Sequence, residues 1–172
     1  MLRDVPAHVG DGPLVLVGRS AGGNVAHLVA HHLEGIGRAP VGLILLDTYQ
    51  ITPDNQGEDW LLSLAAPPRL DSGRPLFGAD DDSALAALGA YNRVFLGWKP
   101  EPVTAPTLLV RASSPTSAMA ASLDGDAWRT SWPSAHDVLD VPGDHLTMMR
   151  EHADTTAAAV RAWIEGVSAD LA

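Results

Sequence analysis

Gly18-Arg19-Ser20-Ala21-Gly22 sets a serine between two glycines, with an apolar run before it and an amphipathic stretch after it. In that setting the serine occupies a very tight turn from strand to helix, with strained backbone angles. Small residues two before and two after it let strand and helix approach closely. The side chain then projects above the strand ends, at the positive end of the following helix. There the free N–H of Ala21 can stabilise an oxyanion. A serine hydroxyl becomes a competent nucleophile only with a base to take its proton and an acid to orient that base.

For a serine on such an elbow the chain order is Ser, acid, His, each at the C-terminal end of a strand. Asp47 ends the next apolar run after the elbow helix. The other natural position follows the third run, where the chain reads Arg111-Ala112-Ser113-Ser114 and offers no acid. Asp47 is therefore the expected acid, with Asp124 and Asp126 as weaker candidates. Of the 7 histidines, His145 follows the fourth run in Val141-Pro142-Gly143-Asp144-His145 and is the expected base. His27, His31 and His32 lie on the elbow helix and are expected to face solvent. His27 and His31 have the i, i+4 spacing of a metal pair, but Leu28 stands where a metalloprotease helix carries Glu. No metal is expected.

These residues need a scaffold. Leu14 to Val17 reads as a buried parallel strand, and Ala21 to Glu34 as a helix with Val25, Leu28, Val29 and Leu33 on one face. Val41 to Leu46, Thr107 to Val110 and Val138 to Val141 read as further strands. The stretch from about Thr147 to Trp163 reads as a helix with Ala153, Ala157, Val160 and Ile164 along a stripe. Strands alternating with helices predict an α/β fold with a parallel sheet flanked by helices. The 59 residues between Asp47 and Thr107 exceed a simple crossover. They are expected to hold helices over 59–66 and 80–96 and a lid-like insertion, about 49–104, within a single domain spanning 1–172.

Composition narrows the function. Hydrophobic residues make up 46 % of the 172 and charged residues 19 %, which suits a folded domain with a real core. A formal net charge of −10 at pH 7 repels phosphate backbones and anionic lipid heads, so neither nucleic acid nor a membrane surface is an expected partner. Cysteine is absent, which excludes disulfides, a cysteine nucleophile and thiolate metal sites, and suits a reducing cytoplasm. The first residues lack the features of a signal peptide, and no apolar run reaches the roughly 18 residues of a membrane helix.

Four stretches together resemble the terminal thioesterase domains of modular polyketide synthases, within the α/β-hydrolase superfamily. They are the elbow from Leu16 to Gly23; Leu45-Leu46-Asp47-Thr48-Tyr49; Ala87-Leu88-Gly89-Ala90-Tyr91 leading to Gly97-Trp98-Lys99-Pro100; and Trp132-Pro133 followed by Val141 to Met148. The resemblance runs from about Gly12 to Trp163. It implies that a polyketide arrives as a thioester on the phosphopantetheine arm of an acyl carrier protein, with no other cofactor. Ser20 would attack it, and water or a hydroxyl of the chain would release an acid or a macrolactone. It also implies that Trp60, Leu62 and Tyr91 help wall an apolar substrate channel.

Two departures from that family stand out. Arg19 occupies a position where the family usually has His. Few residues precede the elbow strand, whereas the family places further strands, a second oxyanion donor and dimer-forming helices there. The chain is thus expected to be a truncated α/β-hydrolase: a fragment, a chain completed by another that supplies the N-terminal strands, or a relative that binds without turnover. A general serine esterase with the same triad is the other enzymatic alternative.

Overall fold

A computed structural model of the chain describes residues 12–50, 90–91, 93–134 and 136–170. The chain divides into two compact units, one of residues 1–49 and 99–172, the other of residues 50–98. The expected helix over 59–66, most of that over 80–96, and the channel candidates Trp60 and Leu62 lie outside the described residues.

The larger unit is a parallel sheet in the order β1 (Val15–Arg19), β2 (Gly42–Leu46), β3 (Thr107–Ala112), β4 (Asp137–Val141). Helix α1 (Ala21–Gly35) links β1 to β2, the short α2 (Ser117–Ser122) follows β3, and α3 (Ala153–Asp170) closes the chain. This is the α/β-hydrolase type of architecture. Every residue of β2 is buried, as the apolar run predicts for a strand covered on both faces. On one face Ile44, Leu46, Leu108, Val110, Val141 and Met148 form a core against Val160, Trp163 and Ile164 of α3. Alternation sends the fully buried Leu43, Leu45 and Leu109 to the other face, and α1 packs against β1 and β2.

Two helix faces differ from the sequence expectation. In α1 the buried residues are Gly23, Asn24, Ala26, His27, Ala30 and Leu33, whereas Val25 is 38 % exposed. A helix launched directly from a strand end must run close to the sheet, so its inner stripe includes the small Gly23, Ala26 and Ala30. In α3 Ala157 is exposed, and Thr156 is the buried residue of that turn, its hydroxyl donating to the Met148 carbonyl at 2.8 Å. The helix also starts later than expected, because a 3-10 turn over Thr147–Met149 intervenes.

In the smaller unit, residues 90–91 and 93–95 are helical. Tyr91 stacks on the buried Phe95 with ring centroids 4.6 Å apart, and Phe95 meets Trp98 edge-on at 5.2 Å. Among the described residues no helix is long and apolar enough to cross a membrane.

Candidate active site

Ser20 stands between β1 and α1 with φ 51 and ψ −127. A non-glycine residue there costs about 1–3 kcal/mol and persists only where its surroundings fix it. They do: the Ser20 N–H donates to the Leu46 carbonyl at the end of β2 at 2.9 Å, and the Ser20 carbonyl accepts from the Gly23 N–H at 3.0 Å. Gly18 is required by the close turn, since a Cβ there would lie 2.3 Å from the Gly22 carbonyl oxygen. On the helical side the demanding position is Gly23, not Gly22. A Cβ at Gly23 would fall 1.9 Å from the Thr48 hydroxyl, whereas one at Gly22 meets nothing within 4 Å. Ala21 is the first residue of α1, so its N–H has no intrahelical acceptor.

Asp47 follows β2 as Ser20 follows β1, and also has positive φ, 44°, a conformation Asp tolerates better than most residues. Its N–H donates to the Val110 carbonyl at 2.7 Å. The carboxylate is buried, 1 % exposed for the residue. Oδ1 accepts the Ala112 N–H at 3.1 Å, and Oδ2 lies 2.8 Å from His145 Nδ1. A buried carboxylate facing Nδ1 fixes the proton on that nitrogen and leaves Nε2 as the acceptor of the ring.

His145 is itself 2 % exposed. Its loop leaves β4 through Gly143, whose φ of 93° and lack of Cβ are both needed, because a Cβ would lie 2.6 Å from the His152 ring. Asp144 Oδ1 accepts the N–H groups of Leu146 and Thr147 and the Thr147 hydroxyl, each at 2.9 Å. Burial alone would raise the Asp144 pKa, but those hydrogen bonds and the nearby His145 together carry it below the ordinary value. The β3–β4 ladder also continues past both strands, with Ser113 and Ser114 N–H donating to the Val141 and Gly143 carbonyls at 3.0 Å.

The weaker acid candidates stand apart from this pair. Asp124 and Asp126 are exposed, and Asp126 pairs with Arg129 at 3.4 Å. His27 corrects the solvent-facing expectation: it is fully buried, with Nε2 2.8 Å from the Glu101 carbonyl and its ring 5.2 Å from that of Trp132. Burial lowers its pKa, and the bond to Glu101 only partly opposes this. His31, on the same helix, is exposed. Among the described residues no three His, Asp or Glu side chains are grouped to hold a metal ion.

Three contacts around the pair were not foreseen from sequence. The Ala112 N–H bond to Asp47 needs only the strand end beside it. Tyr49 donates its hydroxyl to the Trp128 carbonyl at 2.9 Å and lies 3.4 Å from Asp47 Oδ2. Burial first, then the Asp47 charge, raise its pKa, so the phenol stays protonated. The third is the Arg19 guanidinium, which donates to the backbone carbonyl of His145. The resemblance flagged Tyr49 within its second stretch and Arg19 as a departure, but neither spacing nor composition pointed to these partners.

A thioesterase domain family model matches residues 2–164. The chain belongs to this family. This thioesterase chain is 42 % identical over 171 residues to polyketide synthase GfsE of Streptomyces halstedii, a match covering 95 % of the chain. It is 38 % identical over 161 residues to erythronolide synthase EryA3 of Saccharopolyspora erythraea, covering 91 % of the chain. It spans only 4 % and 5 % of the lengths of those two relatives. Among solved structures, the surfactin-cyclising thioesterase domain SrfTE superposes with a TM-score of 0.62 at 20 % identity, covering 95 % of this chain and 72 % of the other. The NocB thioesterase domain gives 0.60 at 21 %, covering 94 % and 68 %. These two likenesses bear on the fold, which they share with the thioesterase chain.

Proposed function

We propose that the chain releases a polyketide acyl group from the phosphopantetheine arm of an acyl carrier protein, with Ser20 as nucleophile, His145 as base and Asp47 as the acid that orients it. The observation that carries this reading is the buried 2.8 Å contact between His145 Nδ1 and Asp47 Oδ2, in a chain whose relatives are polyketide synthases. Burying such a pair costs desolvation, and titratable groups held in this way cluster at functional sites.

The proposed reaction runs in two halves. Ser20 Oγ attacks the thioester carbonyl while its proton passes to His145 Nε2, and the oxyanion faces the Ala21 N–H. The C–S bond breaks, the pantetheine sulfur takes the proton from Nε2, and the acyl group remains as an ester on Ser20. Water, or a hydroxyl of the acyl chain, then attacks that ester and gives its proton to Nε2. Ser20 Oγ recovers a proton as it leaves, and a carboxylic acid or a macrolactone departs. Asp47 stays ionised throughout and stabilises the imidazolium. No cofactor beyond the carrier's own arm enters these steps, and the proposed setting is the cytoplasm.

β1 is an edge strand among the described residues, and its Val17 is 53 % exposed. An apolar edge of this kind favours a further strand beside it, supplied by a second chain, and that pairing is part of the proposal. The test is turnover of one acyl group presented on a carrier protein, as a free pantetheine thioester and as a simple oxygen ester. Faster release from the carrier than from either small substrate supports the reading. Preference for the oxygen ester contradicts it and favours a general esterase.

A further inference from the structure

Ser20 follows β1 and His145 follows β4, at opposite edges of the four described strands. Three strand spacings of about 4.8 Å put those strand ends about 14 Å apart. The loop carrying His145 must therefore reach back across the ends of β3 and β2. The Asp47 carboxylate holds its imidazole. That bond holds the ring, and Asp144 and Ser114 tie the backbone of the loop on its own side of the site, but none of these bonds reaches the nucleophile elbow.

A second anchor is present. The guanidinium Nη2 of Arg19, the residue directly before the nucleophile, donates to the backbone carbonyl of His145. The two residues are 126 apart in sequence, and no other described side chain joins the nucleophile turn to the base loop. We propose that Arg19 is a positioning residue, which clamps the backbone of His145 to the nucleophile elbow while Asp47 holds its ring. The proposal rests on the reading of Ser20 and His145 given above and deepens it.

The chemistry favours arginine here. A charge-assisted bond to a carbonyl is stronger than a neutral one, and Arg keeps its charge at any working pH. Burial, and the nearby Arg150 charge, lower the Arg19 pKa, while the Asp47 carboxylate opposes them and favours the cation. The bond joins elements on either side of the reacting atoms, so a small drift of the loop acts directly on the approach of Nε2 to Oγ.

The test compares the wild-type chain with Arg19→Met, which keeps the stem and removes the donors, and with Arg19→Lys, which restores a single point donor. Three quantities are read: thermal midpoint, kcat and KM on a pantetheine thioester, and the downfield imidazole N–H proton signal of His145. Arg19→Met is expected to lower kcat by roughly 10- to 100-fold with KM and the midpoint little changed, and to broaden or shift the imidazole signal. Arg19→Lys is expected to recover part of the rate, and millimolar methylguanidine to recover part of it in Arg19→Ala. A full rate and an unchanged imidazole signal in Arg19→Met overturn the clamp, as does a loss of rate that only follows a loss of stability. The imidazole signal is read without substrate. An inactive wild type whose signal still responds to Arg19→Met therefore removes the thioesterase reading and leaves the clamp standing.

Discussion

His145 Nδ1 and Asp47 Oδ2 stand 2.8 Å apart, with both side chains 2 % exposed. They come from strand ends 98 residues apart in sequence. Asp47 is held by its N–H on Val110 and by the Ala112 N–H on its other oxygen, so the carboxylate cannot swing away from the imidazole.

Asp47→Asn keeps the shape of that side chain and removes its charge. An amide beside Nδ1 favours the wrong tautomer, so kcat on a thioester is expected to fall by roughly 1,000- to 10,000-fold. Asp124→Asn and Asp126→Asn, at exposed positions, should leave kcat within about twofold. Steady-state kinetics of the three variants decide this. A strong loss at Asp124 or Asp126 would transfer the acid's role away from Asp47.

The elbow predicts opposite results for adjacent glycines. Gly23→Ala places a methyl within 1.9 Å of the buried Thr48 hydroxyl and should destabilise the chain by roughly 1–3 kcal/mol. Gly22→Ala meets nothing within 4 Å and should be neutral or stabilising by up to about 1 kcal/mol, as expected for Ala over Gly in a helix. Urea denaturation of both variants provides the comparison, and equal effects would contradict the packing described under the helix.

His27 predicts a pH dependence. Burial lowers its folded-state pKa, partly opposed by its bond to the Glu101 carbonyl, while the unfolded chain titrates near 6.5. Below about pH 6.5 the unfolded state binds more protons than the folded one, so stability falls as pH falls. The contribution is complete above that pH and is lost toward and through the folded value. His27→Gln keeps a donor and does not titrate, so its stability should change less than that of the wild type between pH 7 and pH 5. Identical slopes in denaturation midpoints would show that His27 is not buried in its neutral form.

Glu34 ties α1 to the chain entering β3, its carboxylate accepting the Thr104 and Ala105 N–H groups at 2.8 Å. Glu34→Ala leaves both donors without that acceptor and is expected to cost roughly 1–3 kcal/mol, with Glu34→Gln closer to the wild type. Thermal midpoints of the two variants check this, and an unchanged midpoint in Glu34→Ala would mean that solvent replaces the clamp.

The sequence made the scaffold legible wherever one physical signal dominated. Apolar runs marked the strands, most clearly β2 and β3, because strands covered on both faces carry little else; β1 and β4, at the edges of the described sheet, are more exposed instead. Ser20, Asp47 and His145 stood out because each follows such a run. The inner face of α1 was hidden because close approach to the sheet selects Gly23, Ala26 and Ala30, which a search for large apolar residues passes over. His27 was misjudged because its partners, the Glu101 carbonyl and the Trp132 ring, lie far along the chain. The start of α3 was placed too early because the Asp144 carboxylate organises a separate turn first. Contacts such as Arg19 with the His145 carbonyl join residues with no pattern in common and need the folded chain to be seen.

Covalent capture of Ser20 tests the central claim most directly. The purified chain and its Ser20→Ala variant are incubated with a simple fluorophosphonate, and the intact mass of each is read. One adduct per wild-type chain, with none on Ser20→Ala, is the predicted result. A folded wild-type chain that takes up no adduct would contradict the account of Ser20 as an activated nucleophile.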